Sequence, residues 1–340
     1  MRFFRATGSS ELEEVHIPAN AGIKDETQAE EAVNSDIKLK MSLIMPTSID
    51  VDIFEGKLDI DYPIVPCHVA TAIASEDRAE YGIKMGNKFI LNPYVLSSLG
   101  NCGDDNVERY GLDTDGFLRN FVTLPFDNVI QIPEDVKEEE ALFTEFIAVA
   151  LATLNSFKLN KGDYIVIIGG SILNIIIGQL ALYYQAIPIF VASDPRFLDL
   201  AIKSGIYYTI DELKEDVYKK VLTITGGKLA EHTVLHSKGG VSPNFIHQLA
   251  GRGANCVLTA LTPNFVRMEA DISQIANKNI ILQGVSCGVD EINAAVNILV
   301  QKTLKLSHLV DKECMLSEMQ ELFKELGEYR ERYICPLIRV

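Results

Sequence analysis

The chain has no C-x-x-C pair, no excess of basic residues, no uninterrupted apolar run of membrane length, and no repeat or low-complexity tract. Each absence removes a class of protein. Six cysteines, at positions 67, 102, 256, 287, 314 and 335, are scattered too widely for zinc-finger spacing. Lys and Arg number 31 against 47 Asp and Glu, a formal charge of −16. An acidic surface disfavours nucleic acid, whose phosphates need cations, and anionic membranes for the same reason. From Tyr164 to Ser193 no residue is charged, but Gly169-Gly170-Ser171, Asn174, Gln179, Gln185 and Pro188 interrupt the segment. A membrane span needs about 20 apolar residues in a row, and polar groups in lipid are costly, so strand, turn, buried helix and strand fit better. The opening MRFFRATGSSELEEVHIP has no apolar stretch of signal-peptide length. The expectation is a cytoplasmic protein with reduced thiols and neither nucleic acid nor membrane as partner.

What is present is length and a change of pattern. A chain of 340 residues exceeds one ordinary core, so two domains are expected. The first part reads as β-rich: DIKLKMSLIM, YPIVPCHVATAIA, NKFILNPYVL, FLRNFVTLP and NVIQIP are apolar runs divided by Gly, Pro, Asp and Asn. Acidic residues then lead into ALFTEFIAVALATL, a mostly buried helix. After Lys161-Gly162-Asp163 strands and helices alternate: YIVIIGG, ILNIIIGQLALYYQ, IPIFVAS, DPRFLDLAIKSG closed by Gly205, YYTI, HTVLHS, ANCVLTAL and NIILQGV. That alternation predicts a doubly wound parallel sheet, an α/β fold. Two helices and a strand, CPLIRV, close the chain. The expected division is a β-rich domain over 1–135, a Rossmann domain over 136–290 and a C-terminal return over 291–340.

The turn after YIVIIGG is the candidate dinucleotide site. A Rossmann turn uses one glycine for the tight turn, a second for approach of the pyrophosphate and a third for helix–strand packing. The pyrophosphate then meets free N–H groups at the helix N-terminus. Here the run is Gly169-Gly170-Ser171-Ile172-Leu173-Asn174, with serine and asparagine in the second and third places. The surrounding strand and helix support the site, and Asp194 ends the second strand about 20 residues on, where an acid holds the ribose hydroxyls. Asp194 points to NAD, since a carboxylate repels a 2′-phosphate. Arg196 could answer such a phosphate and leaves NADP open. The competing interpretation is a Rossmann layer that no longer binds nucleotide.

These residues resemble the zinc-type alcohol and polyol dehydrogenase branch of the medium-chain dehydrogenase/reductases. IDVDIFEG is similar to the family's S/T-D-x-H-x-x-x-G, YPIVPCHVATAIAS to P-x-x-x-G-H-E and the strand after it, and GIKMGNKFIL to G-x-x-V-G-D-R-V. DGFLRNFVTLPFDNVIQIPEDV, ALFTEFIAVALATL, KGDYIVIIGG and SDPRFLDLAIKSG follow in the family's order, so the likeness covers nearly the whole chain. It implies an N-terminal chaperonin-10-like (GroES-like) β domain, a Rossmann domain, cofactor and substrate held between them, and a homodimer or homotetramer formed through the Rossmann sheet. It also implies cofactor contacts from His236, Ala260, Leu261, Val285 and Ser286.

The resemblance breaks at the metal. The family's catalytic zinc is a Lewis acid held by three protein ligands with a fourth position open. The first ligand falls on Thr47, a poor donor; the second is kept as His68; the third, an acid, falls on Glu145. Val69 replaces the glutamate after that histidine and Cys67 the glycine before it. In the proton relay Ile49 and Asp52 replace a hydroxyl residue and a histidine, although Ser48 is adjacent and the supporting Asp50 is retained. The four-cysteine structural zinc lobe is absent. Zinc is therefore not expected. Three interpretations stay open: a metal site rebuilt with Cys67, a metal-free site with His68, Glu145 or Ser48 as acid/base, and a site without chemistry. Cys67 adjoins His68 on an expected strand, which would send the two side chains to opposite faces. The favoured function is an NAD-dependent oxidoreductase of a small alcohol, polyol or ketone. The alternatives are a metal-free quinone- or enoyl-type reductase and a non-catalytic nucleotide-binding or assembly protein.

Overall fold

The computed structural model describes residues 2–16, 36–96, 107–236, 246–259, 271–329 and 332–340. Ala260 and Leu261 lie outside the described residues. The chain divides into two compact units, residues 1–143 with 310–340, and 144–309.

In the first unit β1 (Arg2–Ala6) and β2 (Leu12–His16) form an antiparallel hairpin. β3 (Asp36–Ile44) shows why this stretch is a strand. Ile37, Leu39, Met41 and Leu43 are buried while Lys38 and Lys40 between them are exposed, the period of two of a half-buried sheet. α1 (Ser48–Phe54) follows, then β4 (Ala70–Ala74), β5 (Lys88–Leu91), β6 (Phe121–Pro125), β7 (Val129–Gln131) and α2 (Glu138–Ala141). Glu138 ties this sheet together. Its carboxylate accepts from the Thr71 hydroxyl at 2.7 Å and Lys88 at 2.5 Å.

The second unit opens with α3 (Thr144–Asn155), which has Ile147, Ala148, Ala150 and Leu151 in the core. It continues β8 (Tyr164–Ile168), α4 (Ile172–Tyr183), β9 (Ile187–Ala192), α5 (Pro195–Lys203), β10 (Tyr208–Asp211), α6 (Val217–Ile224), β11 (Ala230–Leu235), β12 (Ala250–Thr259), α7 (Ile272–Lys278), β13 (Ile281–Val285) and α8 (Ile292–Val300). All six strands pair in parallel, in the order β10-β9-β8-β11-β12-β13. Counted within the unit this is 3-2-1-4-5-6, the Rossmann order, with its switch point between β8 and β11. The uncharged stretch from Tyr164 becomes the buried strand β8, then α4, whose residues from Ile172 to Ala181 are all buried. No helix among the described residues is long and apolar enough to cross a membrane.

The chain returns to the first unit with β14 (Lys312–Met315), α9 (Met319–Glu328) and β15 (Pro336–Arg339). The larger sheet there runs β14-β15-β3-β4-β5-β7, with β6 also on β3, and is antiparallel except for β14 beside β15. The return begins at Val310 rather than residue 291, because α8 packs on α3 and stays with the Rossmann unit.

Candidate functional site

In the first unit the candidate residues gather around one buried carboxylate. Asp50 is the third residue of α1 and reaches back over the helix start, as an acid at that position does. Its Oδ2 accepts from the Thr47 N–H at 2.7 Å and the Thr47 hydroxyl at 2.8 Å. Its Oδ1 accepts from the Cys67 N–H at 2.8 Å and stands 3.7 Å from Nδ1 of His68. Asp50 is fully buried and His68 nearly so. Burial alone would raise the Asp50 carboxyl, but His68 and the Thr47 bonds outweigh it and hold the group below its ordinary value. The carboxylate thus stays charged, with the imidazole beside it. Ser48 opens α1 and is half-buried.

Cys67 departs from expectation in its backbone. Residues 65–69 are not in a strand, and Cys67 takes φ 72, the left-handed region that favours glycine. Alternation of faces therefore does not separate it from His68. Chain packing imposes this conformation. A Cβ on Gly116 would collide with the Cys67 carbonyl oxygen, and one on Gly111 would lie 3.0 Å from its carbonyl carbon. The Cys67 carbonyl accepts from Phe117 N–H at 2.7 Å. Burial, and then the charge of Asp50, push the thiol well above its ordinary pKa, so it stays protonated.

This donor set suits zinc poorly. The Thr47 hydroxyl, at the position of the family's first ligand, is a poor neutral donor and is committed to Asp50. Among the described residues no group of three His, Cys, Asp or Glu side chains is placed to hold a metal ion. Glu145 belongs to the second unit, in the first turn of α3.

The dinucleotide turn joins β8 to α4. Gly169 has φ 110, which glycine adopts without strain, and its N–H donates to the Val191 carbonyl. A Cβ on Gly170 would lie 2.7 Å from the Phe197 ring. Ser171 is the N-cap of α4, its hydroxyl accepting from Asn174 N–H at 3.0 Å. Asn174 is fully buried, and its amide donates to the carbonyls of Ile168 (3.0 Å), Gly169 (2.7 Å) and His236 (3.0 Å). Both non-glycine side chains are thus engaged with their own backbone. The first helical amides, Ile172 and Leu173, have no intrahelical acceptor, as at any helix start, and such amides can receive an anion. The turn fits a diphosphate.

The Asn174 amide spans the ends of β8 and β11, at the switch point. His236 continues β11: its N–H donates to the Ile168 carbonyl at 3.2 Å, and its Nδ1 lies 3.0 Å from the Thr259 carbonyl. Val285 ends β13 and is half-buried; Ser286, the next residue, is exposed.

Asp194 is not where the sequence suggested. β9 ends at Ala192, and Asp194 is the N-cap of α5, accepting from Arg196 N–H at 2.9 Å. The Arg196 guanidinium clasps both carboxylate oxygens, with Nε at 3.2 and 3.1 Å and Nη2 at 2.6 Å. Burial would raise this carboxyl, but the Arg196 bonds hold it low. The acid expected to hold ribose is therefore engaged by its neighbour. Sequence reasoning passed over Glu212, directly after β10; the available signal was an acid at the end of the third parallel strand.

No family profile matches the chain. Among curated proteins it is 25% identical over 331 residues to an uncharacterised zinc-type alcohol dehydrogenase-like protein of Haemophilus influenzae, covering 93% of this chain and 95% of that one. It is 23% identical over 318 residues to the sorbitol dehydrogenase of Halalkalibacterium halodurans, covering 88% and 92%. Among solved structures, a putative zinc-binding dehydrogenase from Sinorhizobium meliloti 1021, bound to NADP, superposes with a TM-score of 0.85 over 100% of this chain and 99% of that one, at 17% identity. The strand order, the residue pattern and these full-length likenesses place the chain in the medium-chain dehydrogenase/reductase superfamily, on its zinc-type alcohol and polyol dehydrogenase-like branch.

Proposed function

We propose that this protein is a nicotinamide-dependent oxidoreductase that interconverts a small alcohol or polyol and its ketone without a catalytic zinc. The observation that carries the cofactor is the β8–α4 turn at the head of a 3-2-1-4-5-6 parallel sheet, with Ser171 and Asn174 bound to their own backbone and the Ile172 and Leu173 amides available to a diphosphate. The Haemophilus and sorbitol dehydrogenase likenesses support the substrate class, and the NADP bound to the Sinorhizobium protein supports a dinucleotide. NAD is the preferred form, because Arg196 is neutralised by Asp194. A bound nicotinamide supplies hydride exchange with the substrate carbon.

The chain's own residues supply orientation and proton handling. Gly169, Gly170, Ser171, Ile172 and Leu173 form the phosphate cradle, and His236, Ala260, Leu261, Val285 and Ser286 are the proposed contacts toward the nicotinamide end. His68, beside the Asp50 carboxylate, takes the proton of the substrate hydroxyl during oxidation and returns it during reduction. Ser48 and Glu145 are the further acid/base candidates, and Thr47 keeps Asp50 aligned.

Titration with NADH followed by nicotinamide fluorescence, with metal analysis of the same sample, tests this. Saturable binding and substoichiometric zinc are expected, and His68→Asn should lower kcat for alcohol oxidation while leaving NADH affinity unchanged. Absence of binding at millimolar NADH and NADPH sinks the oxidoreductase reading; stoichiometric zinc sinks the metal-free chemistry alone. The unsuitable zinc donor at Thr47 also favours a second reading, a reductase of activated double bonds, which NADH-dependent turnover of quinones or enones but not ketones would support.

The protein is proposed to be cytoplasmic, in keeping with the free cysteines among the described residues. It is also proposed to pair with a second copy through β13, an edge strand that exposes Ile281 and Leu282.

A further inference from the structure

We propose that Glu212, rather than Asp194, accepts the hydrogen bond from the adenosine ribose hydroxyls of the dinucleotide, and that its charge selects NAD(H) over NADP(H). This rests on the nicotinamide reading above and assigns one subsite within it.

With the diphosphate at the start of α4, the adenosine half of a dinucleotide extends over the ends of the second and third strands, here β9 and β10. Apart from Asp211, which ends β10 and is paired with Lys214 at 2.7 Å, three groups there bear charge. Asp194 accepts four bonds from its own helix start and from Arg196, so both of its oxygens are engaged. Arg196 is committed to that carboxylate in a two-pronged contact. Glu212 is the third. Asp211 lies opposite Ala192 in the β9–β10 register, and the Glu212 N–H donates to the Ala192 carbonyl at 3.2 Å. That bond sets Glu212 beside the last residue of β9, at the edge where the ribose acid belongs.

The Glu212 side chain is unfinished. Its Oε1 is shielded from solvent and has no hydrogen-bond partner. A shielded carboxylate oxygen without a donor is costly, and such groups in a native fold call for an explanation. Burial pushes this carboxyl up, the Ser193 hydroxyl beside it draws it down, and the charge of Asp211 adds to the rise. A ribose hydroxyl is the donor that would complete Oε1. A 2′-phosphate would bring two negative charges to the same point, with Arg196 already engaged.

The test is a fluorescence titration of the full-length wild type, Glu212→Gln and Asp194→Asn. The probes are NADH, NADPH, reduced nicotinamide mononucleotide and reduced nicotinamide hypoxanthine dinucleotide. In Glu212→Gln the NADH Kd is expected to rise about tenfold or more, the scale of one bond to a charged group. The hypoxanthine dinucleotide should weaken by the same factor, since it keeps the ribose hydroxyls and lacks only the adenine amino group. The mononucleotide, which has no adenosine, should bind both forms equally, and this also reports that the variant is folded. Discrimination against NADPH should shrink, and Asp194→Asn should stay within about threefold of wild type for NADH, as expected for a cap that asparagine can still supply.

Unchanged NADH affinity in Glu212→Gln overturns the assignment, as does a large loss in Asp194→Asn alone. Equal weakening of the mononucleotide places the effect away from adenosine and overturns it too. A hypoxanthine dinucleotide indifferent to the substitution gives the contact to the adenine amino group instead of ribose. If wild type binds none of the four probes, the cofactor reading itself fails, an outcome distinct from the others.

Discussion

At the scale of single residues, Asp50 and Cys67 show what a family likeness reveals and what it conceals. Asp50 was picked out only through that likeness, as the acid that supports the metal ligands, and its place at the start of α1, where it reaches back to Thr47, was not read. Its coupling to stability has a definite sign. The folded-state pKa lies below the ordinary value of 3.8, so the stabilisation is fully present above that pH and is lost as pH falls through the lowered value. Asp50→Asn is expected to cost about 2–3 kcal/mol at neutral pH, and urea denaturation of both proteins should show the gap closing below about pH 4. A gap that stays constant into acid would deny the linkage. The conformation of Cys67 was not legible, because its left-handed backbone follows from Gly111 and Gly116 packing on it from far along the chain. Glycine normally costs up to about 1 kcal/mol relative to alanine through unfolded-state entropy. At position 67 that order should vanish or reverse, with Cys67→Gly at least as stable as Cys67→Ala in urea.

At the scale of elements, the strand–turn–helix around Gly169 was readable from periodicity, since β8 and α4 are apolar and the turn between them is not. The part taken by Asn174 was hidden. Read as a missing glycine it looked like damage, whereas its amide ties together the ends of β8, the turn and the residue after β11. Asn174→Ala should leave these buried carbonyls without their donor, at a cost of about 1–3 kcal/mol in chemical denaturation. It should also weaken NADH more than it weakens reduced nicotinamide mononucleotide. Asn174→Gly, despite restoring the glycine pattern, should not recover wild-type stability. A second close approach lies at Gly288, where a Cβ would fall 2.5 Å from the Val149 backbone nitrogen on α3. Gly288→Ala should therefore destabilise by about 1–3 kcal/mol, read as a lower urea midpoint with an unchanged slope.

For the molecule as a whole, β13 raises the question of what lies beyond the sheet edge. It is paired on one side by β12 and exposes Ile281 and Leu282. Leu282→Lys should convert a dimer to a monomer by light scattering after gel filtration, since charge on an edge strand opposes strand addition. A wild type that elutes as a monomer would remove this proposal. The amino-acid order alone determined the alternation of strand and helix after Lys161, the β-rich character before it and the glycine turn between β8 and α4, because periodicity and turn chemistry act over a few residues. Only the tertiary structure decided that Asp194 caps α5 and is clasped by Arg196, that Glu212 keeps a shielded oxygen without a partner, and that α8 stays with the Rossmann unit. Those outcomes depend on which groups compete for the same hydrogen bonds and the same buried faces once distant segments meet, and spacing along the chain does not encode that competition.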